Sequence, residues 1–182
     1  MEGGKELPVK TVCLLTGRPG TGKTSLIRQA VAGLKGRAGG FYTEEMRAGG
    51  TRLGFKLITL DGNEAVLAHV DFRSQYRVGK YGVDVDGLER VGVPALAEAI
   101  GQRGVIVIDE IGKMELFSNR FRQVVLDAVN SSQPVLGTIM LNPHQWADDI
   151  KRQPQVRLVE VTRANHHRVL ADIKNWLEQA VE

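Results

Sequence analysis

Cysteine is almost missing from this chain. Its 182 residues contain one, Cys13, so no internal disulfide can form, and its place in an apolar run reads as a small buried hydrophobe in a reducing compartment. No apolar run reaches the ~20 residues that span a bilayer, and Met1 to Lys10 lacks the apolar centre of a secretory signal. A soluble, cytoplasmic protein is expected. No Pro/Gly/Ser-rich linker divides the chain, which predicts one domain over residues 1–182 with fraying at 1–10 and 179–182. Charge of either sign is nearly balanced, at a formal +3. There is no clustered basic run of the kind a nucleic-acid groove or membrane surface uses, so neither partner is expected.

What is present begins with Gly17-Arg18-Pro19-Gly20-Thr21-Gly22-Lys23-Thr24, which reads G-x-x-x-x-G-K-[ST]. A phosphate chain concentrates negative charge, and a ring of backbone N–H groups meets it without side-chain entropy. Glycines let the main chain turn through positive φ close to the oxygens. In such a loop Lys23 reaches the β- and γ-phosphates and the Thr24 hydroxyl ligates Mg²⁺. The motif requires a strand before it and a helix after it. Thr11 to Thr16 has the unbroken apolar pattern of a strand buried on both faces, and Leu26, Ile27, Ala30, Val31 and Leu34 recur at helical spacing up to Gly36.

The second informative stretch is Gly104-Val105-Ile106-Val107-Ile108-Asp109-Glu110. Four consecutive β-branched residues predict a central strand, and two acids stand at its carboxyl end, where open α/β sheets bind ligands. Asp109 suits the Mg²⁺ shell opposite Thr24, and Glu110 suits the orientation and activation of a water for in-line attack.

Elsewhere the patterns predict an antiparallel meander inserted early (Phe41–Thr43, Leu53–Leu60, Ala65–Val70), a strand over Arg77–Val85, and a helix capped by Asp86 and bent or restarted at Pro94. A helix over Asn119–Asn130 with Ser118 as N-cap comes next. Then come a strand over Pro134–Met140, a helix over Pro143–Gln153, a strand over Val156–Val161 and a helix over Ala164–Val181. Thr138 reads as a packing residue of its strand rather than a polar sensor, and Trp146 and Trp176 read as core. His166 and His167 are adjacent, hence poor joint ligands.

Together with Gly40-Phe-Tyr-Thr-Glu-Glu45 and Arg77-Val-Gly-Lys-Tyr81, the glycine-rich loop and Asp109-Glu-Ile-Gly-Lys-Met-Glu-Leu116 resemble the thermophilic-type nucleotide phosphatases, from about Thr11 to about Ile173. The resemblance implies an α/β, RecA-like P-loop domain with a mostly parallel central sheet flanked by helices. It implies hydrolysis of the γ-phosphate of ATP, GTP, CTP, UTP and TTP with Mg²⁺, with diphosphates poorer substrates. Residue by residue, it carries nucleotide binding to Gly17–Thr24 and to Val105, Ile106, Val107, Ile108, Asp109, Glu110, Ile111 and Gly112, with Glu110 and Lys23 catalytic and Lys113 and Glu115 in support. After the last strand the family tends to place Asn-Arg near the nucleotide. Here Asn165 matches and His166 stands in place of the arginine, which leaves Asn165 and Arg163 for base or phosphate contact.

The same residues admit other readings. A small nucleoside or nucleotide kinase needs an arginine-dense lid, which is missing; Arg47 and Arg52 merely flank a turn. A GTP switch needs Asn-Lys-x-Asp, which does not occur, so weak base selectivity is expected. A nucleic-acid motor lacks its groove and its second domain. Arg18, Arg163 and Arg152 are the candidates for an arginine finger, Lys80 and Tyr81 read as packing, and a monomer is expected.

Overall fold

The structure is a computed structural model that describes residues 10–34, 36–102 and 104–181. The chain runs β1 (Val12–Thr16), α1 (Lys23–Val31), β2 (Ala38–Ala48), β3 (Thr51–Thr59), β4 (Glu64–His69), β5 (Arg77–Val78), β6 (Tyr81–Val83), α2 (Val85–Gly87), α3 (Val93–Gly101), β7 (Val105–Ile111), α4 (Asn119–Asn130), β8 (Val135–Ile139), α5 (Gln145–Lys151), β9 (Val156–Glu160) and α6 (His166–Val181). One nine-stranded sheet has the order β5-β6-β4-β3-β2-β7-β8-β1-β9. Strands β2, β7, β8, β1 and β9 run parallel, and β3 to β6 join on antiparallel ladders.

The parallel strands are apolar throughout because both of their faces are covered. Alternate residues divide between two cores. Val12, Leu14, Ile106 and Ile108 pack with Leu96, Phe121 and Val125 of α3 and α4, while Cys13, Leu15, Val105, Val107 and Leu136 pack with Leu26 and Ile27 of α1 and Val169 and Ile173 of α6. Burial pushes the Cys13 thiol up to about 11, so it stays protonated and unreactive at neutral pH.

The fold revises several expectations. The expected antiparallel meander is present as β2–β3–β4, and it is continuous with the parallel core because β2 spans both systems: Ala38 to Phe41 pair with β7 and Phe41 to Ala48 with β3. Gly40, at φ +106°, lets the Val107 carbonyl press against its Cα, where a Cβ has no room. The strand expected over Arg77–Val85 is instead the hairpin β5–β6, turning at Gly79 and Lys80. The cap is Asp84, whose carboxylate accepts from Gly87 N at 2.9 Å, with Asp86 inside the turn. From there a π-helical segment, Leu88–Gly92, leads into α3, which Pro94 opens. Lys10 does not fray: its ammonium donates to the Pro154 and Val156 carbonyls, and its own carbonyl accepts from Trp176 Nε1 at 3.1 Å. Helix α6 continues through Val181. The remaining residues expected to fray, 1–9 and 182, lie outside the described residues.

Candidate active site

The loop between β1 and α1 turns through positive φ at Gly17, Gly20 and Gly22 (143°, 78° and 83°). At Gly17 a Cβ would come 2.5 Å from the Val161 carbonyl, so only glycine lets the loop lie against the end of β9. Helix α1 then opens without a side-chain cap and without an acid in its first turn. Its leading N–H groups and the positive end of its dipole are thereby left for an anion. Thr21 braces the loop by donating to the Arg18 carbonyl at 3.0 Å. The Lys23 ammonium folds back over the loop onto the Gly17 and Arg18 carbonyls, at 3.0 and 2.9 Å.

The acids arrive from β7, two strands away. Asp109 is 1% exposed and continues the alternation of Val105 and Val107, so its carboxylate stands on the face that α1 covers. The β7–β8 ladder slips between Ile108 and Ile111, which frees the two acids from regular pairing. The peptide joining them is cis. Glu110 lies with Oε1 against the Cα of Gly112, so a side chain there would push the carboxylate out of its place.

The surroundings of the two acids set their titration. Burial raises the Asp109 pKa, opposed by the Thr138 hydroxyl, the Thr24 hydroxyl, the Thr43 N–H and the Lys23 charge. Burial and then the Asp109 charge raise that of Glu110, opposed by Lys23. Lys23, Thr24, Asp109 and Glu110 therefore share one locus at the carboxyl ends of β1 and β7. Thr24 and Thr43 face Asp109 without completing a hydrogen bond. Among the described residues Asp109 Oδ2 has no partner, and Oδ1 accepts from Thr138 Oγ1 at 2.6 Å. An unpartnered buried carboxylate oxygen together with a threonine hydroxyl that faces the same carboxylate is a hard-oxygen donor set that Mg²⁺ takes alongside water and phosphate, so the residues fit that ion.

Other expected residues lie elsewhere. Val105, Ile106, Val107, Ile108 and Ile111 are enclosed in the sheet; they carry the acids rather than line the mouth. Asn165 is occupied by its own loop: Oδ1 accepts from Thr162 N at 2.8 Å and Nδ2 donates to the Glu160 carbonyl at 2.8 Å. It shapes the turn, spending one amide N–H and one lone pair of its carbonyl on its own loop. Arg163 is exposed on that turn, two residues after Val161, whose carbonyl lies against Gly17. Arg152 falls out as a finger, because it precedes β9, whose first residue pairs with Val12 at the opposite end of β1, and it is paired with Asp149 at 2.5 Å. Lys80 and Tyr81 sit on the far antiparallel edge, where Tyr81 accepts from Arg52 Nε at 2.9 Å.

The structure adds Arg28 to the expected residues and gives Thr138, His166 and Glu115 contacts that the sequence does not show. Thr138 is not merely packed, since it holds Asp109. Arg28, one turn after Thr24, bonds Glu44 at 2.9 Å and stacks on Tyr42. His166 lies against Gly22, so near that a Cβ there would meet Nε2 at 2.9 Å. Glu115 is 4% exposed; burial and the Glu110 charge hold it well above the usual carboxylate range, although its own and the Gly112 N–H groups face it. Spacing in the chain announces none of these contacts; the adjacent polar residue on β8 is the only readable hint.

A mostly parallel sheet with this loop at the tip of an inner strand, and acids at the tip of another, defines a RecA-like P-loop α/β protein. Comparison with known proteins narrows the class. The NTPase family model matches residues 12–174. The nucleoside-triphosphatase THEP1 of Thermotoga maritima is 46% identical over 165 residues, covering 91% of this chain and 94% of that protein, and the human cancer-related nucleoside-triphosphatase is 41% identical over 183 residues, covering 91% and 96%. The crystal structure of THEP1 from Aquifex aeolicus superposes with a TM-score of 0.84 at 40% identity, covering 92% of this chain and 99% of that one. The chain belongs to this NTPase family and is an enzyme of the nucleoside-triphosphatase type.

Among the described residues no helix is long and apolar enough to cross a membrane.

Proposed function

We propose that the enzyme hydrolyses the γ-phosphate of ATP, GTP, CTP, UTP and TTP with little base preference, releasing the diphosphate and orthophosphate, and that it works on the Mg²⁺ complex. The observation that carries this reading is the convergence of Lys23, Thr24, Asp109 and Glu110 on the bare start of α1. The loop N–H groups and the α1 dipole hold the phosphate chain. Lys23 exchanges two carbonyl partners for phosphate oxygens, a stronger charge-assisted pairing. Thr24 and Asp109 would hold Mg²⁺, which neutralises charge on the β- and γ-oxygens when bound. Glu110, set apart from Asp109 by its position against Gly112, orients the attacking water and accepts its proton. Weak base preference is in keeping with Asn165 bonding first to its own loop.

The kinase alternative loses support from the arginines of the meander: Arg47 and Arg52 are both engaged by Glu45, at 2.7 and 2.8 Å. Incubating the protein with Mg²⁺ and each triphosphate, with and without acceptor nucleosides, distinguishes the two. Orthophosphate released at one rate in both conditions is expected; phosphorylated nucleoside with no free phosphate would replace hydrolysis by transfer. The proposal takes the enzyme as cytoplasmic and monomeric. Among the described residues, Leu141 and Leu158 are the large apolar side chains exposed on the surface, too few for an extended apolar patch, and sedimentation equilibrium tests the monomer.

A further inference from the structure

Asp109 has two oxygens in unlike situations, and a residue of a third strand makes the difference. Strand β8 lies between β7 and β1, and its register sets Gly137 beside Ile108 and Thr138 beside Leu15. Thr138 is thus the side chain interposed between the strand that carries the acids and the strand that carries the glycine-rich loop. It shares its sheet face with Leu136, the face that α1 covers. Both Thr138 and Asp109 are buried to 1% exposure. A carboxylate only accepts, so the hydroxyl is the donor, and the 2.6 Å separation lies in the short range of charge-assisted bonds.

A carboxylate on a flexible side chain can present either oxygen and can tilt its plane. Here one oxygen is anchored on a rigid strand, and the other has no hydrogen-bond partner among the described residues. The Thr24 hydroxyl is among the groups that face this carboxylate. We infer that Thr138 is a positioning residue for metal-nucleotide binding: its hydroxyl holds Oδ1 of the Asp109 carboxylate so that the unpartnered Oδ2 faces the cation. Thr138 touches neither substrate nor metal in this arrangement. Its effect is on the cation requirement rather than on the grip of the loop on phosphate. This rests on the Mg²⁺-nucleotide reading of the site.

The test is a Mg²⁺ titration of binding of the non-hydrolysable analogue adenylyl imidodiphosphate, read by calorimetry, on wild type, Thr138→Val and Thr138→Ser. The valine removes the hydroxyl at nearly constant shape. It should raise the Mg²⁺ concentration at half-maximal binding by about tenfold, the loss of one good hydrogen bond to a charged group, and leave metal-free affinity for the analogue within about twofold. Serine, which keeps the donor, should restore the Mg²⁺ requirement to within about threefold of wild type. Should the valine variant melt below the assay temperature, Thr138→Cys, of similar size with only a weak donor, takes its place in the same titration. An unchanged Mg²⁺ requirement in the folded valine or cysteine variant overturns the inference. So does an equal loss with and without metal, which marks a general disturbance of the pocket. Wild-type binding that ignores Mg²⁺ altogether would instead remove the underlying reading of the site, a separate result from an unshifted variant.

Discussion

At the residue scale, the site is a small set of charges whose positions are fixed by backbone rather than by one another. Lys23 is held by two loop carbonyls, so its ammonium is already placed before any phosphate arrives. Lys23→Ala removes one charge-assisted hydrogen-bonding group, worth ~1.5–3 kcal/mol, and should weaken triphosphate binding by about 10- to 100-fold and bring hydrolysis to background. Calorimetry and phosphate release check this, and near-normal turnover would deny the lysine its role. Glu110 is different in kind. Its carboxylate is destabilised first by burial and then by Asp109, with Lys23 in opposition, which makes it a better proton acceptor than a solvated glutamate. Glu110→Gln should keep Mg²⁺-nucleotide affinity within a few-fold yet slow hydrolysis by ~10²-fold or more. Matching losses in affinity and rate would mean that this acid builds the pocket instead of activating water.

At the element scale, the acids reach their place because β7 is joined rigidly to α4. The chain leaves β7 through Gly112, makes a 3₁₀ turn at Glu115–Phe117 and enters α4 at Ser118. The Ser118 hydroxyl accepts from Phe121 N at 3.0 Å and donates to Glu89 Oε1 at 2.6 Å, tying α4 to the π-helical segment before α3. Ser118→Ala forfeits the cap and strands a partly buried carboxylate. A loss of about 1–2 kcal/mol is expected in chemical denaturation, and an unmoved midpoint would show that the cap contributes nothing. That cap is readable in the chain, as are β1, β7 and β8, because local pattern and tertiary environment agree there: unbroken apolar runs are what strands covered on both faces require. Legibility ends where partners are distant in sequence. Asp84 displaces Asp86 as a cap, and Arg77–Val85 folds into a hairpin, through ladder contacts with β4 that no local window contains. Thr138 reads as packing because a strand threonine looks the same whether or not a carboxylate waits on the next strand. Arg152 looks as available as Arg163 until the β1–β9 register puts the two at opposite ends of the sheet.

At the scale of the whole molecule, assembling three acids beneath one loop has a consequence for stability. Glu115 lies fully inside, and burial together with the Glu110 and Asp109 charges raises it well above its ordinary value of 4.5. The folded protein therefore retains a proton on Glu115 at pH values where the unfolded chain has released it. Stability contributed by this group is complete below about 4.5, where both states are protonated, and declines as pH rises from there toward the raised folded value, because the native state binds more protons than the unfolded one. Replacing the acid with an amide removes that dependence while keeping an oxygen to accept from the Gly112 and Glu115 N–H groups. Glu115→Gln should accordingly leave the denaturation midpoint near that of wild type in acid and raise it above wild type as pH climbs past 4.5, with the gap widening toward neutral pH. Urea titrations of both proteins, free of nucleotide, at several pH values give the comparison. A gap that stays flat, or one that narrows, would place a charged Glu115 in the folded state. The core would then have to compensate that charge through the Gly112 and Glu115 N–H groups, against the Glu110 and Asp109 charges.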